Sequence, residues 1–275
     1  LQDLADLPAK WERADQAWIN TRTAWPQSSV VDHGRLRGYL MKRIPDTFSF
    51  THGLAKRPKQ VLCDWNYLSM RNRYSNNTKL VSEIPQPSIP QVVELIVDLS
   101  KTLEILHRHD VVVGDISGRN IIWTNDPTWR IMLIDCDGFR VRGSTGVNFA
   151  KQTPDWEDPE VTQLRTTRQS DIYKLGLAAY RSVWAATTDR PPRGLHSARV
   201  PQGAPNQIHS LISRSISPTG RPSASDWVHE LTATPPSPGT PYSPSPNRQA
   251  ERKPQQSRNR PVIPMTKGDS KDPGD

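Results

Sequence analysis

At 275 residues, with 34% hydrophobic residues and a formal net charge of +8, the chain can hold one large domain or two lobes with a tail. The positive excess is spread along the whole sequence, with no compact basic run interleaved with aromatics. This argues for a solvated basic surface and against nucleic acid as a partner. Cys63 and Cys136 stand alone without a C-x-x-C spacing, which argues against a disulfide framework or zinc site and favours a reducing, cytoplasmic compartment. No run approaches the length of a membrane span and no signal peptide is visible, so no membrane association is expected. The chain opens on Leu1 rather than Met, and further residues upstream are expected.

In chain order, Leu4, Leu7, Trp11 and Trp18 among charges give an amphipathic helix pattern over residues 1–20, started or interrupted at Pro8. Ser29-Val30-Val31 and the run RLRGYLMKRI (Arg35–Ile44) read as two strands around a turn at His33-Gly34. Pro90 to Arg108 is the clearest helix. Pro90 sits near its start, and Val92, Leu95, Ile96, Leu99, Leu103 and Leu106 form one apolar stripe that belongs to the core.

The stretch Val111–Phe139 carries the chemistry. Asp115 and Asn120 lie five apart in a polar loop, and Asp135 follows directly on the apolar run Ile131–Ile134. Two short strands joined around Asn125-Asp126-Pro127 form a hairpin that brings Asn120, near its start, close to Asp135 at its end. An amide oxygen and a carboxylate facing each other are hard ligands that suit Mg²⁺ carrying phosphates. Asp115 beside them is free to accept a proton from a hydroxyl; a merely capped hairpin is the bland alternative. Further on stand TPDWEDPE (Thr153–Glu160), then Ser170 as an N-cap opening DIYKLG, and Arg221-Pro222-Ser223 before an amphipathic segment ending near Leu231. From Thr234 onward Pro and Ser dominate, so a disordered tail is expected. Its P-x-x-P runs could dock an SH3- or WW-type groove or serve as a passive linker.

The order D-x-x-x-x-N (Asp115, Asn120) followed by an apolar run and Ile134-Asp135 resembles the catalytic and metal-binding segments of protein kinases. Asp158-Pro159-Glu160 resembles the A-P-E that closes the activation segment, Asp171–Gly176 the D-x-x-x-L-G of the large lobe's central helix, and Arg221-Pro222-Ser223 the late R-P-[ST] element. The resemblance implies an α+β, protein-kinase-like fold: an incomplete small β lobe, a mainly helical large lobe and a disordered tail. Residues 1–44 would be the small-lobe remnant and hinge, 45–232 the large lobe, and 233–275 the tail. ATP and Mg²⁺ would be the cofactors and a protein the substrate or partner. Met41, Lys42 and Ile44 would lie at the hinge that contacts adenine. Asn120 and Asp135 would hold metal, and Asp115 would take the acceptor's proton. Asp171 would accept backbone N–H bonds from the catalytic loop, and Arg221 would pair with Glu160.

The departures from the family pattern matter as much. Val113-Gly114 replaces His-Arg, and Cys136-Asp137 replaces Phe-Gly, so Asp137 adds a carboxylate that is an alternative ligand to Asp135. Ser117 stands where Ser/Thr kinases carry a lysine near the transferred phosphate, and Arg119 is the nearest compensating cation. There is no G-x-G-x-x-G and no V-A-I-K-like lysine strand before residue 44. Two readings therefore stand: a divergent Ser/Thr-type protein kinase, inactive or weak as this chain, and a pseudokinase binding module. Small-molecule kinases of the aminoglycoside type share G-D-x-x-x-x-N and the I-D strand, but usually lack the Pro-Glu closure, the D-x-x-x-L-G helix and the late arginine.

Overall fold

A helix with one continuous apolar stripe must bury that stripe, and the chain packs around the one it has. In the computed structural model, which describes residues 2–70, 80–141, 153–161, 166–186 and 200–233, the chain divides into the units Leu1–Thr234 and Pro235–Asp275. The second unit, with the disorder and the SH3- or WW-type docking expected of it, lies outside the described residues.

The first unit is mixed α+β. Its N-terminal helical pattern is split at Pro8 into α1 (Gln2–Asp6), a 3-10 turn (Pro8–Lys10) and α2 (Arg13–Arg22). Strands β1 (Pro26–Asp32) and β2 (Arg35–Met41) form an antiparallel hairpin. His33 (φ 48°) and Gly34 (φ 73°) are both left-handed, the backbone that a two-residue hairpin turn needs. A three-stranded antiparallel sheet follows, built from β3 (Ser49–Leu54), β4 (Lys59–Leu62) and β5 (Leu80–Ser82) in the order β4-β3-β5, with a single helical turn α3 (Asn66–Ser69).

Helix α4 (Ile89–Arg108) begins in a capping box between Ser88 and Gln91, with Pro90 in its first turn where no N–H partner is lost. All six residues of the predicted stripe are buried. Asp98, on the same helix, ties three elements together. It accepts from Arg22 Nε at 3.1 and 3.0 Å and from the Ile131 N–H at 2.8 Å. Beyond α4 lie β6 (Val111–Val112), β7 (Ile121–Thr124), β8 (Arg130–Leu133) and β9 (Arg140–Val141), paired antiparallel as β6 with β9 and β7 with β8.

Helices α5 (Arg168–Val183), α6 (Gln207–Ser215) and α7 (Ala224–Thr232) complete the core. The cap of α5 is Thr167, not Ser170 as expected. Ser170 is the third helical residue and closes a capping box by receiving the Thr167 N–H at 2.8 Å. Gly176 permits the close approach of α5 to α6, because a Cβ there would lie 2.6 Å from Ser215 Cβ. Among the described residues no helix is long and apolar enough to cross a membrane.

Leu99 is fully buried in the α4 stripe, so Leu99→Ala removes its transfer free energy and leaves a cavity. Urea denaturation should show a loss of about 2–5 kcal/mol with an unchanged slope. A loss below about 1 kcal/mol would remove α4 from the centre of the core.

Candidate functional site

The site grows from the loop that follows α4 and β6. Asp171, fully buried in the first turn of α5, accepts the Val113 N–H at 2.9 Å and the Gly114 N–H at 2.8 Å, one on each carboxylate oxygen. His107 Nε2, from the last turn of α4, lies 3.0 Å from Asp171 Oδ2. Gly114 has φ 79°, a conformation that disfavours any side chain, and a Cβ would fall 2.9 Å from Thr166 Oγ1. The Gly in the His-Arg position is therefore what this backbone requires.

This loop presents Asp115 and Asn120 together. Asn120 Nδ2 donates to the Asp115 carbonyl at 2.9 Å and to Asp115 Oδ2 at 3.1 Å, so these bonds do not use its own Oδ1, an acceptor. Asp115 Oδ1 takes the Thr153 N–H at 3.1 Å and the Thr153 hydroxyl at 3.0 Å. The β7–β8 hairpin continues the arrangement, because the Ile134 N–H donates to the Asn120 carbonyl at 3.0 Å. The next residue, Asp135, is exposed and in the left-handed region (φ 60°, ψ 38°), uncommon for a residue with a side chain and frequent at functional sites. Burial, then the charges of Asp137 and Asp115, and a hydrogen bond with Asp137 push the Asp135 carboxyl above its ordinary value. Neighbouring carboxylates that repel one another are groups a divalent cation can relieve. Asp135, Asp137 and the Asn120 amide oxygen are hard-oxygen donors of the kind that Mg²⁺ takes. Among the described residues no group of three or more His, Cys, Asp or Glu side chains forms a metal cage of its own.

The other predicted residues are placed as follows. Ser117 is buried at 1% exposure, with its hydroxyl shut off from solvent and no partner among the described residues. Arg119 is exposed, and its charge bears on Asp64. Among the hinge candidates, Ile44 packs with Phe48, Ile122, Met132 and Ile134, on the hairpin that carries Asn120 and Asp135. Met41 is exposed, and Lys42 Nζ donates to the Asn20 carbonyl at 3.1 Å. Across from the acidic turn, the charge of Asp137 acts on the Tyr39 phenol of β2, which burial and that charge push up.

The pairing expected between Arg221 and Glu160 is not what the structure holds. Arg221 forms a two-pronged pair with Asp158, Nη1 to Oδ2 at 2.5 Å and Nη2 to Oδ1 at 2.9 Å, both side chains almost fully buried. Glu160 is exposed, and its backbone N–H turns back to Asp158 Oδ1 at 3.1 Å. The tight turn through Pro159 points the earlier acid inward and the later one out.

Four participants escaped sequence reasoning: Thr153, His107, Lys174 and Asp64. Lys174, a cation inside the apolar run of α5, was the one with a visible signal. Its Nζ donates to the Gly114 carbonyl at 2.5 Å.

Comparison with known proteins agrees with a limited likeness. No protein-family model matches the chain. Over 94 residues the chain is 29% identical to the dual specificity protein kinase zak2 of Dictyostelium discoideum, a match covering 31% of this chain and 15% of that protein's length. The chain is thus similar over about a third of its length to part of a protein kinase.

Asp64 gives the site a pH signature. Its backbone N–H and carbonyl sit beside β7, and its carboxyl receives the Asn66 N–H at 3.0 Å. Burial nevertheless pushes that carboxyl up to about 6 from an ordinary 3.8, against the opposing pull of Asn66 and Arg119. The folded state therefore holds this proton more tightly than the unfolded chain. The destabilising contribution is absent below 3.8 and fully present above about 6. On passing from acid to neutral pH, the wild type should lose up to about 3 kcal/mol more stability than Asp64→Asn in urea denaturation. Parallel pH profiles for the two proteins would contradict this.

Proposed function

We propose that the chain carries the catalytic loop of a protein-kinase-like phosphotransferase that moves the γ-phosphate of ATP to a protein serine or threonine hydroxyl. The observation that carries this reading is the joint hold on Asp115. Asn120 and Thr153 fix both oxygens of its carboxylate, while the hairpin backbone keeps Asp135 next to Asn120. The partial likeness to a dual specificity protein kinase supports the same reading.

In this reading Asp115 orients the acceptor hydroxyl, and Thr153 yields part of its contact to it. As the hydroxyl oxygen bonds to the γ-phosphorus, the bond to the bridging oxygen breaks and ADP leaves. The hydroxyl proton passes to the Asp115 carboxylate late in the step. Asn120 and Asp135 would hold Mg²⁺, with Asp137 beside them; bound there, it supplies charge neutralisation of the phosphates. Asn120 has a second task, donating from its amide nitrogen to keep Asp115 in line. Ile44 and Ile134, partly buried at the edge of that apolar cluster, are the side chains that would meet the adenine ring.

A second reading, a pseudokinase that binds nucleotide or a partner without transfer, is favoured by a specific observation. The residue in the usual lysine position, Ser117, has its hydroxyl buried away from any phosphate. Incubation with Mg-ATP and a generic protein substrate separates the two. Transfer should be detected and should fall by about 10²-fold or more in Asp135→Ala and in Asp115→Asn. Nucleotide binding with no transfer in the wild type would select the binding module, and transfer unchanged by both substitutions would overturn the assignment of the site.

A further inference from the structure

The loop that presents Asp115 has an unusual weakness. Its preceding residue is Gly114, the residue type with the widest backbone freedom. Without a hold on the peptide that follows Gly114, the backbone leading into Asp115 would be free to turn, and misplacement by about an ångström costs on the order of 10²-fold in rate.

We propose that Lys174 is a positioning residue that clamps the Gly114 carbonyl from beneath the loop and so fixes the direction of Asp115. This inference rests on the phosphotransfer reading for its consequence, though not for its geometry. Asp171 and Lys174 are three apart on α5 and so share a face. Asp171 takes the N–H on the near side of Gly114, and Lys174 donates to the carbonyl on its far side at 2.5 Å. One helix face thus grips both peptide units that flank the glycine, and the torsions leading into Asp115 lose their freedom.

The placement of the ammonium argues against a role as packing filler. Lys174 is fully buried, an arrangement that disfavours its charge, so burial pushes its pKa down. Four carboxylates oppose that shift: Asp171, Asp115, Asp158 and Glu157, in that order of effect. Asp171 is already engaged by two loop N–H groups and Asp158 by Arg221. Lys174 is therefore a buried amine under the charges of both the Asp115 loop and the 153–161 segment. An uncharged side chain of similar length would fill the space and lose both the bond and the charge balance.

The full chain provides the test. Lys174→Met keeps the volume and removes the charge; its kcat should fall about 30-fold or more, while the KM for ATP stays within about threefold. Lys174→Arg should recover most of that loss. A kcat in Lys174→Met within about threefold of wild type, or a loss confined to KM, would overturn the proposal. If the wild type transfers no phosphate, the phosphotransfer reading fails and amide exchange decides on Lys174 alone. The Val113, Gly114 and Asp115 amides should then exchange about tenfold faster or more in Lys174→Met while Leu99 stays protected, and unchanged loop exchange would overturn the clamp. Should Lys174→Met not fold, the wild type with ¹⁵Nζ-labelled lysine serves. One slowly exchanging ammonium signal, assigned by its loss in Lys174→Arg, is expected. Rapid exchange of every lysine ammonium would overturn the clamp.

Discussion

The arrangement depends on one buried carboxylate. Asp171 has no solvent around it, and an ion in that position is costly unless its oxygens are filled. They are filled by two consecutive N–H groups of the loop and by the imidazole of His107, so burial of the charge and shaping of the loop are a single event. The hydrogen bonds are charge-assisted, the strong kind, and each has a partner whose desolvation would otherwise go uncompensated. Everything downstream inherits this geometry. Val113 and Gly114 fix where Asp115 begins, Asn120 closes the loop back on Asp115, and the hairpin carries the register on to Asp135.

Much of this was legible where the signals are local. The stripe of α4, the turn at His33-Gly34 and the β7–β8 hairpin all come from spacing and turn chemistry within a few residues. The sheet β4-β3-β5 was not, because β4 is mostly exposed and Ser49–Leu54 shows no alternation of buried and exposed positions. Helix caps need geometry as well as residue type. Thr167 and Ser170 are both good caps, and only the reciprocal bonds between them decide which one starts α5.

Pairings between distant residues were the hardest to read. Thr153 lies 38 residues from the Asp115 it holds, and nothing in its neighbourhood marks it as a partner. Arg221 was expected on the later of two acids in Asp158-Pro159-Glu160 and sits on the earlier, a choice made by the turn and not by the motif. Ser117 stands in the loop where a residue of the reaction is expected, yet its hydroxyl lies within the protein. Burial is a property of the fold that no spacing reports. The stripe that fixes a helix is repeated several times over, whereas an ion pair is written once at each end.

We propose that the loop anchored by Asp171 and the end of the β7–β8 hairpin make one site for a metal-bound nucleotide. Paramagnetic broadening of backbone NMR signals by Mn²⁺ with ATP tests it in the wild type and in Asp171→Ala. Broadening centred on Asn120, Asp135 and Asp137 is expected in the wild type, with its dispersal when the anchor is removed while Leu99 and its neighbours in α4 keep their shifts. Broadening spread evenly over the surface, or centred on another part of the chain, would contradict it.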